Sequence, residues 1–168
     1  MSELDQIEFA EREGDASMRE RIDNASMLQR QATTAITLVL AGAGAALLFA
    51  ARGAGSFGGV EAGSISIALW LFAIAALLVR KCLAADEYPA AYNLPLDLIH
   101  DEHSLVDIRR ARLEKLDERI REAILKNDDR ARWLNRCYYA SAATPLIGLC
   151  AMAAWVGFSA AAAVCSAA

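Results

Sequence analysis

The chain holds few cysteines and no cysteine pair at a metal or redox spacing. Cys82, Cys137, Cys150 and Cys165 share no CxxC interval, so neither a zinc site nor a disulfide framework is expected. Cys82 and Cys137 flank apolar segments and Cys150 lies inside one, which makes small hydrophobic side chains their expected role. Charge of one sign is also missing. With 17 Lys+Arg against 21 Asp+Glu, the net charge of −4 leaves no broad footprint for nucleic acid. No Walker A sequence, GxGxxG or nucleophile elbow is present. A cleaved secretory signal is not expected either, because the first apolar run starts only near Ala32, behind a highly charged leader.

What the chain does have is apolar sequence. Hydrophobic residues make up 56% of its 168 residues, against 23% charged and 7% aromatic. A soluble domain lies nearer 45–50% apolar. Both classes are abundant because they are segregated. Thr33–Ala51 carries no charge over 19 residues. At about 1.5 Å rise per residue it reaches roughly the thickness of a bilayer core. Ile65–Val79 is a shorter apolar run that extends toward Val60 and past Arg80 and Lys81, whose stems can snorkel. Tyr138–Val164 is uncharged over 27 residues, more than one crossing needs, and Pro145 inside it predicts a kink. A soluble helix would show a polar stripe. These runs offer only scattered hydroxyls such as Thr37, Ser66 and Thr144, which can bond to their own helix backbone.

Outside the runs, Lys and Arg alternate by segment. The leader has four, the first loop has Arg52 alone, the stretch Arg80–Arg136 has twelve, and the tail has none. The positive-inside rule then predicts a cytosolic N-terminus, an external first loop, a cytosolic second loop and a periplasmic C-terminus. The terminal Cys165-Ser-Ala-Ala has the form of a prenylation box, but that orientation puts it on the wrong side of the membrane.

Gly53–Gly63, with five glycines, is expected to be a flexible hairpin loop. Residues 86–103, with Pro89 and Pro95, read as a linker. Ser104-Leu-Val-Asp107 is close to a capping box. From there Asp117–Arg121, Glu122–Lys126 and Asp128–Arg132 offer i,i+4 pairs. One stripe runs Leu113, Leu116, Ile120, Ile124, Asn127, Ala131, Leu134, Tyr138 at helical period. It leads into the third apolar run, so one continuous helix from Ser104 to Val164 is expected. Asn127 within the stripe either fixes register and oligomer state or marks a bend. In the leader, Met18, Ile22, Ala25, Leu28 and Ala32 also step at helical period. Met1–Asp15 holds six acids and one Arg. It is expected to be solvated and partly disordered, although docking on the basic 104–136 helix is open to it.

The expected fold is therefore all-α: a membrane protein with three transmembrane helices and a long cytosolic helix continuous with the third. Its parts are a cytosolic leader (1–32), a transmembrane hairpin (33–85, spans about 33–51 and 62–83), the linker (86–103), the cytosolic helix (104–137) and the third span (138–165). Packing is expected at two small-xxx-small faces, Gly42 with Ala46, and Ala153 with Gly157 and Ala161. That packing is expected within the protomer and between protomers as well. Leu113, Leu116, Ile120, Ile124, Asn127 and Leu134 complete the packing set.

His100-Asp-Glu-His103 is the one cluster resembling a site. Two histidines at i,i+3 with a carboxylate can face a metal, but an exposed polar helix start, where acids suit the dipole, is the expected reading. No metal and no cofactor is expected. No span carries a mid-depth ionisable group apart from Cys150, which disfavours coupled transport and intramembrane catalysis. The chain is not expected to be an enzyme.

A charged leader, an apolar hairpin and a long cytosolic helix ending Ile124-Leu-Lys-Asn127-Asp-Asp-Arg-Ala-Arg-Trp-Leu134 form a recognisable layout, together with Asp23-Asn-Ala25 before the first span. It resembles the small bacterial membrane effectors of the SLATT and Pycsar-type transmembrane group. The third span departs from their two-span pattern, and no nucleotide-binding domain accompanies it. The resemblance implies a self-associating inner-membrane protein that perturbs or permeabilises the membrane in antiphage defence. Its expected partners are the bilayer and further copies of itself. The alternative is a non-catalytic scaffold or subunit whose cytosolic helix binds a protein partner.

Overall fold

The computed structural model describes residues 3–52, 58–83 and 104–166. Every element among them is helical: α1 (Glu3–Arg52), α2 (Gly59–Leu78) continued by a π-helical turn (Val79–Leu83), α3 (Leu105–Ala142) and α4 (Thr144–Ser166). Three of these helices are long and apolar enough to cross a membrane, with candidate spans in Leu4–Arg52, Gly59–Leu83 and Thr144–Ala162. By length and composition all three could span a membrane. The 86–103 linker, His100, His103 and residues 53–57 of the first loop lie outside the described residues.

Local chemistry explains the helix ends. The Ser104 hydroxyl accepts the Asp107 backbone N–H at 3.2 Å and donates to its carboxylate at 2.6 Å, an N-cap that starts α3 where the sequence predicts it. At the head of α2, the Glu61 carboxylate accepts the Gly58 backbone N–H at 2.8 Å. Gly59–Gly63 is therefore helix, where the sequence reading expected flexible loop. The expected single helix from Ser104 to Val164 is instead two, separated at Ala143. Pro145 supplies no N–H to the preceding turn. Ala143 becomes a turn residue whose carbonyl takes the N–H groups of Leu146 at 3.0 Å and Ile147 at 3.3 Å.

The chain forms two compact units. The first joins the beginning of α1 to α3 as far as Ala131, and the second contains the rest of α1, α2, the end of α3 and α4. In the first unit Met18, Leu116 and Ala123 form a buried cluster with Ile120 packed against it. Ala123, fully buried, has no side chain beyond Cβ to hold the helices apart.

In the second unit, α2 lies along α4. A Cβ placed on Gly63 would stand 2.6 Å from Met152 Cγ and 3.2 Å from the Gly148 carbonyl oxygen, and one on Gly148 would stand 2.7 Å from Ile67 Cδ1. Glycine at both positions lets the two backbones approach, which is how apolar helices associate in lipid. The Trp70 indole N–H, donating to the Ala140 carbonyl at 3.1 Å, ties α2 to α3 just before the break. Thr37 and Ser66 donate to the carbonyls four residues earlier, at 3.0 and 2.9 Å, as the sequence predicts. Thr144 does not follow them: its hydroxyl is buried without a hydrogen-bond partner among the described residues.

Gly63→Leu is expected to lower thermal stability in detergent by about 1–3 kcal/mol through overpacking. Gly44→Ala, whose added Cβ meets nothing within 4 Å, is expected to lose none. Circular dichroism melts check both.

Candidate functional site: the helix packing faces

The acidic start of α1 is docked, against the expectation of a solvated and partly disordered segment. Arg109 grips the Glu11 carboxylate with two donors, Nη2 at 2.8 Å and Nε at 3.3 Å. The Glu11 side chain is 14% exposed and that of Arg109 28%. This two-pronged geometry, partly shielded from water, is the strong form of the ion pair. Arg112 and Asp15 make a looser contact at 4.0 Å. Close packing accompanies the charge: a Cβ on Gly14 would stand 2.6 Å from Leu116 Cδ2. Of the pairs along α3 itself, Asp117–Arg121 closes at 2.8 Å on the exposed surface.

Asn127 is buried, and its amide Nδ2 donates to the Arg21 backbone carbonyl at 2.9 Å. A helical carbonyl has a second lone pair for such a bond. α3 runs as unbroken helix through Asn127, with no fraying there. Its hydrogen bond pins the register of α3 against α1 inside one protomer. Beside it opens a cavity of about 200 Å³ lined by Arg21, Asn24, Leu28, Ile124, Asn127 and Asp128 among others. The Arg21 Nε is buried without a hydrogen-bond partner among the described residues.

The α3 stripe is thus largely consumed within the chain. Leu116, Asn127 and Leu134 are buried, Leu113, Ile120 and Ile124 are half-buried, and Tyr138 at its end is exposed. The spans behave differently. On α1 the buried face is Ala32, Ala35, Val39 and Ala43, one step around the helix from the expected Gly42–Ala46 pair. Ala46 is half-buried. Gly42 is mostly open, although a Cβ there would come within 3.3 Å of Leu71 Cδ1. On α4, Ala153, Gly157 and Ala161 are all exposed, and nothing lies within 4 Å of a Cβ placed on Gly157. The face of α4 that packs on α2 instead carries Gly148 and Met152. The sequence reading missed Gly59 and Gly63, although they have the same four-residue spacing.

Cys82 and Cys137 are buried and Cys150 is exposed. Burial pushes the Cys137 thiol above its ordinary value, because a thiolate would lose its hydration there. Among the described residues, no three His, Cys, Asp or Glu side chains converge as a metal site. What the described side chains do is hold helices together.

No family model matches the chain, and neither a curated protein nor a solved structure does.

Arg109→Ala is expected to destabilise the first unit by about 1–2 kcal/mol, since it removes both charged hydrogen bonds to Glu11. Glu13→Ala, an exposed position, is expected to change stability little. Backbone hydrogen exchange across residues 4–20 separates the two, with faster exchange in the first variant alone.

Proposed function

We propose that the chain is a bacterial inner-membrane protein that assembles with copies of itself and perturbs the membrane as a defence effector. In this reading the N-terminus and α3 are cytosolic, as the distribution of Lys and Arg requires, and the C-terminus is periplasmic. The antiphage role rests on the layout shared with the SLATT and Pycsar-type effectors.

The observation that carries self-association is the open face of α4. Only 6% of its apolar window is buried, against 33% for α2. Along that face Ala153, Gly157 and Ala161 repeat every four residues with no neighbour taking up the space at Gly157. Lipid tails solvate bulky apolar side chains well but cannot match the close backbone contact that a second helix makes with a small-residue face. The α3 stripe, by contrast, is covered by α1 in the first unit, which weakens the scaffold reading that needs it free.

Particle mass in detergent and dye entry on expression test the proposal together. The wild-type chain is expected to form a homo-oligomer and admit dye. Gly157→Leu is expected to give a smaller particle and a sealed membrane at unchanged helicity and thermal stability. A wild-type monomer, or no leakage at any assembly state, contradicts the proposal. A stoichiometric foreign partner with a silent membrane returns the scaffold reading.

A further inference from the structure

In the second unit, two cations converge on one indole ring. Lys81 Nζ lies 5.3 Å and the Arg136 guanidinium carbon 5.0 Å from the centroid of Trp133. The π-helical turn sets this up, turning Cys82 inward and leaving Lys81 exposed. Arg136 is exposed as well. Among the described residues neither cation has a carboxylate within ion-pair distance. Cation–π attraction holds each charge in place without neutralising it. Two positive groups fixed on one ring leave a place that an anion would fill.

An apolar cleft lies at the same level of the helices. Its volume is about 150 Å³, and Ala35, Val39, Leu78, Leu134, Cys137 and Tyr138 are among its lining residues. Leu78 precedes Lys81 by one turn, while Leu134 and Cys137 directly follow Trp133 and Arg136 in the chain. At its mouth Leu38 is 68% exposed and Tyr138 50%, so the cleft opens toward the medium that surrounds the spans. A greasy slot beside two cations, at the end of a membrane-crossing helix, has the chemistry of a phospholipid: an acyl chain below and a phosphate above. The cleft accepts any acyl chain, and the cations make the choice among headgroups. A free phosphate would use the cations and leave the cleft empty.

We propose that this cluster and cleft bind one anionic phospholipid, its phosphate held by Lys81 and Arg136 and one acyl chain lying against Leu78, Leu134 and Tyr138. The site rests on the membrane placement proposed above and is independent of self-association.

Native mass spectrometry of the detergent-extracted full chain tests it, with phosphatidylglycerol and phosphatidylcholine of matched acyl chains as probes. Retention of phosphatidylglycerol is expected to exceed that of phosphatidylcholine by about tenfold or more, since each basic group near an anionic headgroup contributes. Lys81→Gln with Arg136→Gln should reduce it to the phosphatidylcholine level. Ser141→Phe, which fills the cleft from its lining, should reduce it with both charges intact. Equal retention of the two lipids by the wild-type chain overturns the proposal, as does undiminished phosphatidylglycerol in the charge variant or its displacement by inorganic phosphate. Both charge positions are exposed, so circular dichroism should report unchanged folding. Recovery of the chain from the aqueous fraction would count against the membrane placement itself, and particle mass in the same spectra reads self-association separately.

Discussion

A peptide group in hydrocarbon has no water to turn to, and leaving it unpaired is expensive. That constraint makes each apolar run a helix and makes its interruptions informative. Only one interruption separates α3 from α4, at Ala143, and the backbone groups around it are taken up locally. The Ala143 N–H reaches the carbonyls of Tyr139 and Ala140, both at 3.2 Å, and Trp70 adds its indole to the second of these. The hydroxyls of Thr37 and Ser66 comply, folding back on carbonyls one turn earlier.

In the bilayer placement proposed above, the second unit would gain little from burying apolar surface once its helices are formed, because lipid tails are as apolar as leucine. Contact then depends on shape. Gly63 and Gly148 bring α2 and α4 together where any larger residue would hold them apart, and Ala32, Ala35 and Ala43 line the buried face of α1. The first unit follows the rules of water-soluble helices. Met18 and Leu116 bury apolar surface, Glu11 and Arg109 pair their charges, and Asn127 fixes alignment through the Arg21 carbonyl. A polar residue at a seam position weakens the contact relative to leucine but permits fewer registers.

The spans were legible in the sequence because hydropathy is local. An uncharged run such as Thr33–Ala51 announces itself without reference to any other part of the chain. Helix pairing is not local, and there sequence reading went astray. Gly42–Ala46, Gly59–Gly63 and Ala153–Gly157 share one spacing, and nothing in the spacing says which face meets a neighbour. Gly59–Gly63 was hidden further by the glycines before it, whose density reads as a loop until Glu61 is seen to cap a helix. Pro145 was legible as a kink, but the periodic stripe leading up to it suggested one uninterrupted helix. The acids of the leader were visible as a charge run, yet a charge run has no address until Arg109 meets Glu11. Part of the α3 stripe, Leu116 and Asn127, meets the chain's own α1 at Met18 and Arg21, a partner that periodicity alone cannot name.

The functional account stands on the proposition that three helices cross the bilayer with the leader and α3 on one side. Cysteine labelling tests it most directly. In a chain with its four native cysteines replaced, single cysteines at Ser26, Ser56 and Glu118 are challenged with a membrane-impermeant maleimide on sealed cells opened only to their inner-membrane surface. The account predicts labelling of Ser56→Cys on intact membranes, and of Ser26→Cys and Glu118→Cys only after permeabilisation. Labelling that places Ser26 and Glu118 on opposite sides, or a chain that partitions into the aqueous fraction, would contradict it.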